Sequence, residues 1–348
     1  MPTATTARKI SFRESQIEMA HGAGGKASRR LVEGLFAPLL FGSAHGPLGD
    51  AAQIQINGTR IAMTTDSFVV KPLRFPGGSI GELAINGTVN DLAVSGARAE
   101  AIVVTFVLEA GLPTDVLEAE VRAMAQAADT AGVMIAGGDT KVVEHGKADH
   151  MYITTTGVGR LLSGVEISPK SVRPGDKVLL SGPIGDHGIT ILLARGDLDL
   201  EADLRSDTRS VFPLVQALVS AAGAGVRWMR DPTRGGAATS LNELARDCGQ
   251  GIVLFEEKLP VRDSVRGACE LLGLDPLHIA NEGQFLAIVS AEHADAALQA
   301  LRETPGGEEA AIIGEVREEP AGAVLVTTLY GGNRMVDMLV GDPLPRIC

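Results

Sequence analysis

The second half of the chain is paced by alternation. Short apolar runs ("DKVLLSG", "VRWMRDP", "GIVLFEE", "FLAIVS", "AIIGEV", "AVLVTT") are separated by segments of helical periodicity at 187–195, 208–222, 235–248, 261–272 and 292–302. Strands alternating with helices leave few packings other than sheets with helices laid on them. The first half is similar. In "QIQINGTRIAMTTDSF" alternating apolar residues flank Asn57-Gly58, the turn pair of a two-residue hairpin, and the second strand runs into Asp66. "GSIGELAINGTVNDLAVSGA" reads as a helix with Glu82, Asn86 and Asn90 on one stripe, which is costly unless that stripe is solvated or bound. A buried strand ("AEAIVVTFVLEAG"), an amphipathic helix ("TDVLEAEVRAMAQAADTAG") and two more strands follow, the first of them ending in the glycine turn of "AGGDTK".

Prolines and glycines cluster in "SPKSVRPGDKVLLSGPIG" and mark a boundary. The expectation is an α/β fold with mixed sheets, divided into an N-terminal segment with a glycine-rich loop (1–50), an N-terminal domain (51–165), a C-terminal α/β domain (170–330) and a tail (331–348). The 348 residues suit two domains, each with its own core, given 45% hydrophobic content. With 31 basic against 43 acidic residues, a net charge of −12 and 3% aromatics, the chain offers neither a cationic track nor a stacking platform for nucleic acid. The N-terminus has no apolar core like that of a signal peptide, and no run is long enough for a bilayer, so a cytoplasmic location without membrane contact is expected.

Three cysteines without CxxC spacing make neither a disulfide framework nor a zinc site. Cys248 and Cys269 lie in helical patterns and read as buried thiols. Cys348 is the last residue, behind Pro343 and Pro345, in a tail with little core material. The fourteen residues beyond Arg334 reach roughly 45 Å when extended, enough to carry a thiol to a pocket. An exposed thiol titrates near ~8.5; Arg346, two residues away, and the terminal carboxylate would act on it in opposite senses.

Four constellations carry chemistry. "HGAGGKAS" (His21–Ser28) places Gly24, Gly25 and Lys26 as a phosphate cradle, though Ala20 and Ala27 break the Walker A pattern and a glycine loop without a ligand fits as well. Asp66, Asp91, Asp139 and Asp231 form a set of Asp corners, three of which follow strand-like segments, where open α/β folds place their ligands. Each alone reads as a cap or turn residue; together they form a carboxylate set suited to Mg²⁺ and nucleotide phosphates. Lys141 of "GGDTKVV" and Glu282 of "NEGQFL" are candidates for an acid–base pair, or else surface charges. His187 of "GDHGI" reads more readily as a helix cap than as a catalyst.

With "HGAGGK", "TTDSFVV", "GTVNDLAVSGA", "AGGDTKVV", "SGPIGDHG", "RDPTRGG", "NEGQFL" and the terminal "PRIC", the chain resembles the HypE family of hydrogenase maturation proteins along nearly its whole length. That family belongs to a wider group with aminoimidazole ribonucleotide synthetase and selenophosphate synthetase. The resemblance implies that group's two-domain architecture, a homodimer formed through the first domain, and a flexible C-terminal tail. It also implies a chemistry: ATP-dependent dehydration of an S-carbamoyl group on Cys348 to a thiocyanate. The carbamoyltransferase HypF would load the thiol, and the HypC–HypD iron scaffold would receive the cyanide. By the same resemblance Asp66, Asp91 and Asp231 would hold Mg²⁺, and Lys26 with the Gly22–Gly25 backbone would bind phosphate. Asp139 and Thr140 would line the pocket, and Lys141 and Glu282 would flank the carboxamide with Glu282 as base. Two other readings remain at this point: an ATP-using kinase or ligase acting on a small free substrate, and a nucleotide-binding scaffold that presents its tail to partners.

Overall fold

Strands β1 (Ala52–Ile56) and β2 (Thr59–Phe68) pair antiparallel with Ile56 opposite Thr59, leaving Asn57 and Gly58 as the two-residue turn, both at positive φ (48° and 86°). This backbone matches the twist of the flanking strands. The computed structural model describes residues 11–41, 48–196, 202–341, 344 and 346–348. Helices α1 (Gly25–Leu31) and α2 (Ala37–Leu40) precede the hairpin. After it come the short pair β3 (Arg74–Phe75) and β4 (Gly78–Ser79), α3 (Ile80–Val94), β5 (Ala97–Glu109), α4 (Thr114–Ala131), β6 (Met134–Val143) and β7 (Met151–Leu161). The large sheet runs β1-β2-β7-β5-β6 and is antiparallel except between β5 and β6. Helices α3 and α4 cover one face, where Ala62, Phe68, Ile102, Val104 and Ile153 pack with Leu83, Leu92 and Met124. The opposite face and the edge strand β6 are open, with Met63, Val103, Met134, Ile135 and Val142 exposed.

The second domain contains β8 (Lys177–Leu180), α5 (Asp186–Ala194), α6 (Phe212–Ala222), β9 (Val226–Arg230), α7 (Gly236–Cys248) and β10 (Gly251–Phe255). It continues with α8 (Asp263–Leu272), β11 (Leu286–Val289), α9 (Ala294–Arg302), β12 (Ala311–Arg317), β13 (Val324–Thr327) and β14 (Asn333–Val336). Its sheet order is β14-β13-β10-β12-β8-β11-β9, with β10 and β13 the parallel neighbours. Successive residues of β8 point to opposite faces: Val178 and Leu180 pack with Leu241 and Leu244 of α7, and Leu179 packs with Leu214 and Leu218 of α6 and Leu301 of α9. Among the described residues no helix is long and apolar enough to cross a membrane.

Four expectations change. Strand β6 does not end at its glycines but runs through them, so Asp139, Thr140 and Lys141 lie on the strand itself. Gly138 permits this, because a Cβ there would sit 1.9 Å from the Val104 carbonyl oxygen. Helix α6 begins at Phe212 rather than near 208, since residues 202–211 form an irregular strap held by side chains. Cys269 is buried as expected, and burial pushes its thiol up to about 11, but Cys248 is only half-buried. The tail carries more core than the sequence suggests. β14 closes the second sheet, and Val336, Leu344 and Ile347 are buried, the last two in the core of the first domain.

Asn90 of α3 ties the two domains together. Its side-chain NH2 donates to the carbonyls of Arg209 (2.9 Å) and Glu282 (3.1 Å), and its oxygen accepts from Val211 N–H (2.8 Å). The polar stripe on α3 is therefore bound by protein. Replacing Asn90 with Ala strands three backbone groups at roughly 1 kcal/mol each, so the denaturation midpoint of Asn90→Ala is expected to report a loss of about 3 kcal/mol.

Candidate active site

A carboxylate cluster occupies the junction of the domains. Oxygens of Asp50, Asp91 and Asp231 all lie within 4.8 Å of one another. Asp50 arrives just before β1, Asp91 from the last turn of α3, and Asp231 directly after β9. Asp66, from β2, faces the same cleft and contributes to the charge felt by Asp50, Asp91 and Asp231. The Thr64 hydroxyl lies 2.7 Å from the Asp50 carbonyl and 2.8 Å from a carboxylate oxygen of Asp91. Burial, reinforced by mutual repulsion, holds Asp91 and Asp231 well above the usual carboxylate range; burial raises Asp50 and Asp66 as well. The offsetting cations are Arg230, 2.8 Å from Asp50, and Arg234, 4.0 Å from Asp66.

Two of the three sequence-assigned metal ligands, Asp91 and Asp231, thus stand in the three-oxygen group; Asp66 flanks it, and Asp50 takes the third place. Asp50 follows Gly49 but stands before its strand, so the strand-end pattern that picked out the others does not select it. Three hard oxygens converging in a desolvated pocket suit Mg²⁺, and their raised proton affinity is what a cation-binding group shows without its cation.

Glu282 sits beside the cluster on the loop before β11, 3% exposed, with its Oε1 unpartnered. Burial, then the charges of Asp231, Asp66 and Asp207, push its pKa well up. Gly87 of α3 lets the Phe68 ring pack close beside this site: a Cβ there would be 2.9 Å from the ring, while its 3.9 Å to Glu282 Oε2 would be ordinary contact. Asp207, from the strap, accepts from Glu282 N–H at 3.0 Å and is itself raised to about 6, chiefly by burial.

The tail ends in this cleft. Val69 N–H donates to the Cys348 carbonyl (2.9 Å) and Lys71 N–H to that of Arg346 (3.3 Å), so the last residues lie against the chain leaving β2, three residues beyond Asp66. Arg346 is paired with Asp149 at 2.6 Å and donates to the Val69 carbonyl. Cys348 is half-buried against the first-domain core and is the largest of the charges that raise the pKa of Arg234, ahead of Asp66 and Glu282. Upstream, the tail crosses the glycine-rich loop. The N–H groups of Lys26 and Ala27 donate to the Leu339 and Val340 carbonyls (2.9 and 3.3 Å), and Lys26 Nζ pairs with Asp337 at 2.5 Å. Gly25 has to be glycine for this approach, since φ is +69° and a Cβ would meet the Leu339 oxygen at 2.4 Å. The donors expected to cradle phosphate therefore hold tail backbone here. A cavity of about 370 Å³ opens beside them, lined by Gly24, Gly25, Arg29, Asp231, Arg234 and Thr239 among others.

Asp139, Thr140 and Lys141 are not brought to this cluster within one chain. Lys141 pairs with Asp139 at 2.6 Å, and both are exposed. The cross-strand row Ser67–Thr154–Thr105–Asp139 lies on the open face of the sheet, opposite to Asp66. Three strand spacings, about 14 Å, separate β6 from β2. His187 is not a cap: Gly185 occupies the cap position, and the ring is fully buried.

Comparison with known proteins decides the family. The N-terminal domain model of AIR synthase related proteins matches residues 48–161, and the C-terminal domain model matches 173–327. Carbamoyl dehydratase HypE of Azotobacter vinelandii is 50% identical over 340 residues, covering 98% of this chain and 99% of that one. The chain belongs to the HypE family. Among solved structures, the HypE–HypF complex superposes with a TM-score of 0.84 at 43% identity (89% of this chain, 99% of that one). A HypE in complex with ATP gives 0.80 at 46% identity (95% and 99%). The mixed-sheet α/β architecture, in the two parts matched by these domain models, is thereby accounted for.

The cluster makes a solution prediction. Asp91 and Asp231 keep protons in the folded chain at pH values where the unfolded chain has lost them. Without a cation, stability therefore falls as pH rises above the ordinary carboxylate value of about 3.9. A divalent cation replaces those protons, so the gain in Tm on adding Mg²⁺ or Mn²⁺ is expected to be larger at about pH 8 than at about pH 5. Asp91→Asn should remove most of that gain; a gain that persists unchanged in the variant would rule the cluster out as the site.

Proposed function

We propose that this chain is an ATP-dependent carbamoyl dehydratase acting on its own C-terminal cysteine. The reading is carried by one observation: the terminal residue is seated in the carboxylate cleft of its own chain, beside Val69 and within the electrostatic reach of Arg234, which also senses Asp66 and Glu282. A scaffold that merely displayed its tail would have no need of that seat, and a kinase for a free substrate would have it blocked.

The balanced reaction converts R–S–C(=O)NH2 and ATP into R–S–C≡N, ADP and phosphate. An amide oxygen leaves poorly, so phosphoryl transfer to it comes first; the oxygen then departs with the phosphate, and the nitrogen gives up two protons. Glu282, desolvated and with an unpartnered oxygen, is placed to accept a proton from that nitrogen. Arg234 offers positive charge at the same point. Asp50, Asp91 and Asp231, with Asp66 alongside, would hold Mg²⁺, which when bound offsets triphosphate charge. Gly24 and Gly25 border the cavity beside Asp231, and Lys26, the next residue, would join them in phosphate binding once it is released from Leu339 and Asp337 of the tail.

A relative's structure with HypF supports HypF as the source of the carbamoyl group, and HypC–HypD is the proposed recipient of the cyanide. The open sheet face, with Met63, Val103 and the Asp139–Lys141 row, supports a homodimer closed through the first domain. Across it, Lys141 of one chain would serve the Glu282 site of the other, with Asp139 and Thr140 lining the shared pocket. No transmembrane helix accompanies this chemistry among the described residues, and a cytoplasmic setting fits it.

Incubation with the carbamoyltransferase, carbamoyl phosphate and ATP should leave an adduct on the C-terminal peptide that first appears as carbamoyl and then loses the mass of one water. Cys348→Ala should bind ATP yet show neither species, and absence of any adduct on the wild-type peptide would refute the carrier role. Glu282→Gln should load normally and dehydrate about 10²–10⁴-fold more slowly. The acid limb of the wild-type rate should lie above the ordinary carboxylate range, because Glu282 works only when deprotonated. Mixed dimers of Lys141→Ala and Glu282→Gln chains should regain part of the activity that each lacks alone. Mixing proven by mass without such recovery would place Lys141 outside the reaction.

A further inference from the structure

His187 has no part in the chemistry above, yet it is fully buried and makes two directed contacts. Its Nε2 is 2.6 Å from the carbonyl oxygen of Ile347, and its Nδ1 is 2.8 Å from the Ser206 hydroxyl. A carbonyl only accepts, so Nε2 carries the proton and Nδ1 accepts from Ser206. Burial keeps the ring neutral, with its pKa lowered to about 4, so this tautomer persists at physiological pH. The ring plane is fixed by an edge contact with Phe75, centroids 5.7 Å apart.

We propose that His187 is the positioning residue of the terminal cysteine: its Nε2–H grips the carbonyl of Ile347, and Ser206 fixes the tautomer that allows the grip. The inference rests on the carrier reading of Cys348. It assigns the stopping point of the arm to a side-chain donor one residue before the reacting sulfur, next to Arg346, which is held by Asp149 through its side chain and by Arg195 through its carbonyl (2.8 Å). Main-chain pairing at Val69 and Lys71 fixes the direction of the tail but would tolerate sliding; a buried imidazole donor fixes the stopping point. The same strap that supplies Ser206 supplies Asp207 to the backbone of Glu282, and Arg209 donates to the Gly283 carbonyl at 3.0 Å. Adjacent residues therefore place the sulfur and the base relative to one another. A single neutral hydrogen bond is also weak enough to release the arm, as a carrier that must leave its pocket requires.

The test uses the full-length chain and reads each cysteine separately by peptide mass after timed iodoacetamide treatment. His187→Ala should speed alkylation of Cys348 by about tenfold, the scale of one buried hydrogen bond, while buried Cys269 stays at its wild-type rate. His187→Gln, whose terminal NH2 can still donate to Ile347, should return toward wild type, and Ser206→Ala should fall between. In single turnover from chain already carbamoylated, His187→Ala should dehydrate more slowly with nucleotide affinity unchanged. Unaltered Cys348 alkylation in His187→Ala would overturn the proposal, as would Cys269 rising in parallel, which would mean general loosening. If His187→Ala unfolds, Ser206→Ala and His187→Gln decide by the same two readings. Alkylation requires no carbamoyl group, so failure of the carrier reading and failure of the latch are separately visible.

Discussion

Charge crowding organises this molecule. Asp50, Asp66, Asp91, Asp231 and Glu282 meet at the junction of two domains, with burial raising all five pKa values. Removing so many carboxylates from water costs far more than Arg230 and Arg234 return unless protons or metal ions share the site. The cost is met by the scaffold: three of the five carboxylates stand on or beside ordered elements of the first domain, and the second domain brings Asp231 and Glu282 against them. Asn90 and the 202–211 strap then lock that approach through buried backbone hydrogen bonds. The fold can be seen as a device for holding like charges together, with their repulsion held in reserve for a polyphosphate and its cations.

The docked arm reaches this cleft by crossing the molecule. It closes the second sheet as β14, runs over the N-terminus of α1, and buries Leu344 and Ile347 in the core of the first domain. The glycine-rich loop thus has two possible partners for the same N–H groups: tail carbonyls and phosphate oxygens. Mutual exclusion between them at Lys26 and Ala27 would make nucleotide entry and the upstream path of the tail interdependent. The last three residues dock elsewhere, on Val69, Lys71 and His187, so the middle of the tail can lift while its end stays seated.

Much of this was legible in the sequence wherever local chemistry dictates geometry. Asn57-Gly58 gave its hairpin, the alternation after residue 176 gave the second domain, and Asp91 and Asp231, singled out in one Asp set, lie in one carboxylate group with Glu282 beside it. The misreadings have physical sources. Asp139–Lys141 looked like a turn because two glycines precede it, but Gly138 serves close strand packing against Val104. Residues 208–211 read as the start of a helix, since nothing local shows that Asn90 will claim the backbone of Arg209 and Val211. His187 looked like a cap because its partner, the Ile347 carbonyl, is 160 positions away. Tertiary partners at that separation leave no periodicity to find. Asp50 enters a strand rather than leaving one, so the strand-end argument does not reach it.

The manner of docking bears on how one arm can serve several steps. The contacts that seat its end run through the main-chain carbonyls of Arg346, Ile347 and Cys348, to Lys71, His187 and Val69. Main-chain groups are identical whether the sulfur carries a proton, a carbamoyl group or a cyano group. A dock built on them would hold the three forms in one register, without a new binding mode for each. A dock built on the cysteine side chain would instead weaken or tighten with every chemical change at sulfur, and the arm would be expelled or trapped mid-reaction.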